Sequence, residues 1–228
     1  MSDMDDPIFE LRFYNLAEGR DADMRRRVRE DLAWLFPRHG IRPLAGWSAL
    51  AAPALPMFIY LTPWRNMVER NRCWAGFYAD PAWQEVRNRT NAGSELVTDY
   101  EIFFLRGMSP WRALASDGGE LDEVVIQRTL VGKGLASAAA LRERELPALE
   151  QAGAQVQGAF DVLSGCRLPA AISVLRWRDW DARRGAREAV DANPAIVAAR
   201  AEERRQFGAE LLGTRSSFLV APVPVDWQ

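Results

Sequence analysis

Two short strands carry the side chains whose types and spacing could do chemistry. In residues 8–16, IFELRFYNL, alternation puts Glu10, Arg12 and Tyr14 on one face and Phe9, Leu11 and Phe13 on the other. In residues 57–62, MFIYLT, Phe58, Tyr60 and Thr62 share a face opposite Ile59 and Leu61. A guanidinium on an interior sheet face costs free energy unless it is paired. Arg12 therefore either pairs with Glu10 or another acid, or receives an anionic ligand group. If a pocket exists, the strand faces turned away from the helices should line it. That nominates Glu10, Arg12, Tyr14, Phe58, Tyr60 and Thr62, with Trp47, Tyr100 and Ser173 alongside. Ala171, Ser173 and Leu175, at the matching positions later in the chain, are small enough to leave room.

Other chemistries are poorly served. The one histidine, His39, is expected at a helix end, where a cation favours the negative pole of the dipole. Without a His/Cys cluster, a metal centre of that kind is not expected, and no cofactor motif is present. Gly132-Lys133-Gly134 lacks the earlier glycine and later hydroxyl of a phosphate loop. Net charge is −2, and Arg25, Arg26, Arg27 and Arg29 are flanked by Asp21, Asp23, Glu30 and Asp31. These arginines read as a solvated helix face, and no nucleic-acid partner is expected. Residues 43–64 hold no charge, but Pro43, Gly46, Pro53, Pro56 and Pro63 favour a buried hairpin over a membrane span. The acidic opening MSDMDDP lacks the pattern of a secretory signal, and Cys73 and Cys166 form no CxxC pair. A cytoplasmic location is the expectation.

The elements that must position these residues come twice. Trp64, Arg65, Arg70 and Pro81 recur as Trp177, Arg178, Arg183 and Pro194, each 113 positions later. A fixed offset marks a duplicated supersecondary unit. Each copy reads as β-α-β-β-α-β, the ferredoxin-like order. Asp80-Pro81 and Asn193-Pro194 supply matching helix N-caps with proline at the first helical position. The boundaries are 7–107 for the first domain, 108–121 for a linker and 122–224 for a diverged second domain. A four-stranded sheet with helices on one face needs cover on the other, and two copies can cover each other. The fold class expected is α+β, two tandem ferredoxin-like repeats packed as an intrachain pseudo-dimeric α/β barrel.

The run FELRFYNLAEGR, then RHGI, then a Trp- and Arg-rich stretch ending in DPAW, resembles the NIPSNAP family. The resemblance implies a ferredoxin-like unit of the dimeric α/β-barrel class. That class includes cofactor-independent oxygenases acting on polyketide-like aromatics, haem enzymes and plain binding proteins. By analogy with its oxygenases, Arg12 would stabilise a phenolate or enolate, Tyr14 and Tyr60 would orient it, and Glu10 would serve as base.

One compositional asymmetry bears on function. Residues 1–110 hold 16 aromatic side chains and residues 111–228 hold 7, with all four tyrosines in the first set. Either the first copy keeps a ligand pocket for a small aromatic molecule, or its core has drifted to larger side chains in a non-catalytic interaction protein with a filled barrel. The stripe Trp64, Trp74, Trp83 reads as packing. Tandem copies remove the need for a homodimer without forbidding one.

Overall fold

The computed structural model describes residues 7–115 and 121–227, which form two compact units. The first runs to Arg106 and takes in the C-terminal stretch from Val220. Its strands are β1 (Ile8–Leu16), β2 (Ala45–Ala51), β3 (Met57–Trp64) and β4 (Val97–Gly107). Helix α1 covers residues 21–38 between β1 and β2; α2 (Met67–Ala79) and α3 (Pro81–Thr90) join β3 to β4. The strands pair antiparallel in the order β4-β1-β3-β2, the ferredoxin-like arrangement. In that register Arg12 lies opposite Tyr60, and Tyr14 lies between Phe58 and Tyr100.

Local chemistry explains the helix ends. Gly40, at φ 73°, closes α1 in the left-handed conformation glycine tolerates best. Asn66 accepts the Glu69 amide at 3.0 Å to start α2, and Asp80 accepts the Ala82 amide at 2.9 Å to start α3. The middle of α1, Arg27–Leu32, winds as a wider π-type turn. The uncharged 43–64 segment forms β2 and β3, and among the described residues no helix is long and apolar enough to cross a membrane.

The alternation of β1 and β3 is as expected, but the faces are exchanged. Glu10, Arg12, Tyr14, Phe58 and Tyr60 point toward the helices; Leu11, Phe13, Ile59 and Leu61 point the other way. Buried polar groups go where their partners are, and Trp74 and Arg70 on α2 supply donors for Glu10.

The second unit holds β5 (Leu121–Thr129), α4 over residues 134–151, β6 (Gln155–Ser164), β7 (Ala170–Trp177), α5 (Trp180–Ala192), α6 (Pro194–Phe207) and most of β8 (Leu212–Pro222). Its sheet order is β8-β5-β7-β6. Features recur at the same 113-residue step. The wide turn of α1 returns as Ala140–Glu145, and the N-caps return as Asp179 and Asn193. Of the stretch expected as a linker, residues 108–115 lie along β6, with the Met108 amide on the Ala159 carbonyl and the Arg112 amide on that of Gln157. Residues 116–120 lie outside the described residues.

Candidate functional site

The site is built from a buried carboxylate outward. Glu10 is fully buried, and its two oxygens accept from Arg12 Nε (2.8 Å), Trp64 Nε1 (2.8 Å), Trp74 Nε1 (3.1 Å), and Arg70 Nε (3.1 Å) and Nη2 (2.8 Å). Burial by itself would raise the proton affinity of Glu10. The Arg70 hydrogen bond and the charges of Arg12 and Arg70 outweigh it and hold the carboxyl below its ordinary range. Glu10 is therefore ionised and saturated with donors. The role of base expected for it is corrected to that of an anchor.

What Glu10 anchors is Arg12. The guanidinium, 3% exposed, lies 3.9 Å over the Trp74 ring and donates through Nη1 to the Tyr14 hydroxyl at 2.9 Å. The Tyr14 and Tyr60 hydroxyls are 2.8 Å apart. Because Arg12 donates to Tyr14, the arrangement in which Tyr14 donates to Tyr60 leaves the Tyr60 proton free for a ligand oxygen. Burial raises the proton affinity of Tyr60 well above the ordinary tyrosine value, outweighing the opposing charge of Arg12. Tyr60 is thus a neutral hydrogen-bonding group and not a base at neutral pH.

A cavity of about 320 Å³ opens beside this chain of hydroxyls, on the helix side of the first sheet. Tyr14, Phe58 and Tyr60 form its floor, Phe36 and Val28 come from α1, and Trp74, Phe77 and Trp83 come from α2 and α3. Trp227 closes one side, stacked on Phe36 with ring centroids 5.7 Å apart. Arg27, Asn91, Arg87, Glu95, Thr98 and Tyr100 give it a polar border.

Of the expected pocket residues, Phe58, Tyr14, Tyr60 and Tyr100 border the cavity, Tyr100 at its exposed side. Arg12 and Glu10 stand behind Tyr14. Thr62 is fully buried next to Glu10 in register, with its hydroxyl unpartnered among the described residues, and does not reach the cavity. Trp47 pairs with Ile59 and so lies on the opposite sheet face. Ser173 belongs to β7 of the second unit. His39 sits at the end of α1 with Nε2 2.8 Å from Asp80, a helix-end contact. Sequence reasoning missed several participants, the cavity walls Phe36, Phe77 and Trp227 among them. Arg70 was noted only as part of the repeat, and Arg27, read as solvated, is 5% exposed.

The second unit separates scaffold from cavity. Glu123, 113 positions after Glu10, accepts from Trp177 Nε1 (2.9 Å), Arg183 Nη2 (2.7 Å) and Arg187 Nη2 (3.1 Å). The Glu–Trp–Arg hub is thus duplicated. The cavity chemistry is not. Val125, Gln127 and Ser173 stand where the first copy has Arg12, Tyr14 and Tyr60. Where the first copy has Leu32, Tyr78 and Arg87, the second has Glu145, Asp191 and Arg200 in an ion-pair cluster, with Arg200 3.2 Å from Glu145 and 3.0 Å from Asp191.

The fold is that of the dimeric α/β-barrel class, with two ferredoxin-like repeats in one chain. It is shared with a monooxygenase-like protein of Lactobacillus acidophilus (9% identity, 96% of each chain covered, TM-score 0.61). It is shared also with an anthrone oxidase-like protein (13% identity, 100% of this chain and 97% of the other, TM-score 0.61). A mutant chlorite dismutase from Candidatus Nitrospira defluvii superposes similarly (6% identity, 95% and 92% covered, TM-score 0.57). At these identities the likeness concerns the fold alone. Residues 9–109 match the NIPSNAP family, so the first repeat is a NIPSNAP-like domain. No curated protein matches the chain in sequence.

Proposed function

We propose that the first repeat is a receptor for a small, largely aromatic molecule bearing a phenolic or enolic oxygen, held by its ring in the cavity and by that oxygen on the Tyr14–Tyr60 pair. The observation that carries this reading is the continuous chain Glu10–Arg12–Tyr14–Tyr60, which ends on a hydroxyl at the wall of an aromatic cavity of about 320 Å³. A volume of that size lies within the range of small-molecule sites. An interaction protein with a filled core would have no use for this opening.

The same geometry favours one reaction class as a second reading, cofactor-independent oxygenation. Hydroxyls polarised by a buried guanidinium stabilise an oxyanion. A substrate whose activated methylene ionises as an enolate there could give up both methylene hydrogens to dioxygen. One oxygen atom would become the new carbonyl, and the other would leave as water. Since Glu10 is saturated, such a substrate would have to be acidic enough to ionise without a carboxylate base.

Naphthol, a fused aromatic ring with one hydroxyl, is a direct probe. Quenching of the cavity tryptophans on titration should give a one-to-one isotherm. Tyr60→Phe should weaken it by about fivefold to tenfold, the loss expected for one hydrogen bond in a dry site. Undiminished binding by a Tyr14→Phe/Tyr60→Phe double variant would show that the hydroxyl pair is not the site.

A further inference from the structure

We propose that the natural ligand of this cavity is an aromatic acid, whose carboxylate is received by Arg27 where α1 meets the end of α3. The inference rests on the reading of the cavity as a small-molecule site and specifies the chemical class of its occupant.

Arg27 is the unusual residue. It is 5% exposed and borders the cavity, yet its hydrogen bonds go to neutral oxygens. Nε donates to Thr90 Oγ1 at 2.8 Å, and Nη2 donates to Thr90 Oγ1 and Asn91 Oδ1. Nη1 makes no hydrogen bond to any described residue. The acid closest in charge, Asp31, makes no hydrogen bond to Arg27, and one of its buried oxygens has no partner among the described residues. Asp31 pairs with Arg89 at 2.6 Å, and Glu95 pairs with Arg87 at 3.6 Å and accepts from Asn91 Nδ2 at 2.5 Å. Arg20 and Arg87 add further positive charge nearby. A buried guanidinium without an acid in hydrogen-bond contact is costly, and a ligand carboxylate would offset that cost with charge-assisted bonds. Burial, only partly offset by the charge of Asp31, lowers the proton affinity of Arg27 to about 10, so it stays charged at neutral pH.

The duplication supplies an internal control. At the positions of Arg27 and Thr90 the second unit has Ala140 and Glu203, and Glu203 is already ion-paired with Arg144. The buried guanidinium with no acid in hydrogen-bond contact thus occurs in the copy that keeps the tyrosine pair. Floor and border then divide the work: Tyr14 and Tyr60, on the sheet, take a neutral or enolic oxygen, and Arg27, on α1, takes the carboxylate.

The test compares naphthol with hydroxynaphthoate, the same ring and hydroxyl with a carboxylate added, on the full chain at neutral pH. The wild type should bind hydroxynaphthoate about tenfold more tightly than naphthol, the scale of a net charge-assisted contact. Arg27→Met should bring that ratio to one or below. Arg27→Gln, whose amide can still donate to Thr90, gives the same readout if the methionine variant is poorly folded. Naphthol binding without the preference, or a preference that survives in both variants, would overturn the anion site and leave the cavity reading standing. Binding of neither probe would overturn both.

Discussion

Replacing Glu10 with glutamine tests whether the buried carboxylate holds the site together. The amide keeps one acceptor oxygen but turns an NH2 group toward the Arg12, Arg70, Trp64 and Trp74 donors. It also leaves the Arg12 guanidinium, 3% exposed, without its counter-charge. Breaking a buried pair on one side costs about 3–5 kcal/mol. Arg70 is 17% exposed and can recover some hydration, which favours the lower half of that range. For a chain of this size each kcal/mol moves the melting temperature by about 2–4 °C, so a drop of roughly 6–16 °C is expected. Circular dichroism melts would read it. Naphthol titration well below the melt should show binding weakened as well, because Arg12 no longer holds Tyr14 in place. Glu123→Gln is the matched control. It disturbs the equivalent hub of the second unit, so it should lower the melting temperature while leaving naphthol binding intact. A Glu10→Gln protein that melts within about 2 °C of the wild type, less than 1 kcal/mol by the same scaling, would refute the reasoning.

Three further outcomes follow from individual side chains. Thr62→Val removes a buried hydroxyl that has no partner among the described residues and should leave stability unchanged or raise it by up to about 1 kcal/mol, readable by denaturant titration. Asp80→Ala takes away both the cap of α3 and the Nε2 contact of His39, and the same titration should show a loss of about 1–2 kcal/mol. Glu10 and Glu123 both hold folded proton affinities below the ordinary carboxylate value. Their contribution is complete above the unfolded value near 4.5 and lost as pH falls through the folded ones. Melting temperature should therefore fall on acidification below about pH 4.5, and less steeply in Glu10→Gln than in the wild type.

How legible this was depends on the residue. The turn and cap chemistry of Asp80-Pro81 and Asn193-Pro194 is local, so sequence placed both helix starts correctly. The alternation of β1 was equally plain, but which face the helices cover was not. Glu10 and Leu11, on opposite faces, are both fully buried, and a strand buried on both sides offers no contrast between core and solvent to decide the matter. Arg27 was lost among four arginines flanked by acids. The usable signal was its position three residues after Met24 and beside Val28, on the apolar stripe, where the wide turn of α1 carries it inward. The recurrence of Trp64 and Arg70 at 113 positions marked a structural hub. What the copies do not share, the Arg12–Tyr14–Tyr60 chain, marks the candidate site.

The central claim is that the helix-side cavity of the first repeat is where a ligand sits. A crystal structure of the protein soaked with naphthol tests it most directly. The ring should lie between Tyr60 and Trp74, with its hydroxyl about 2.7–3.0 Å from the Tyr60 oxygen. Naphthol bound elsewhere at saturation, with this cavity empty or closed by its own side chains, would contradict the account.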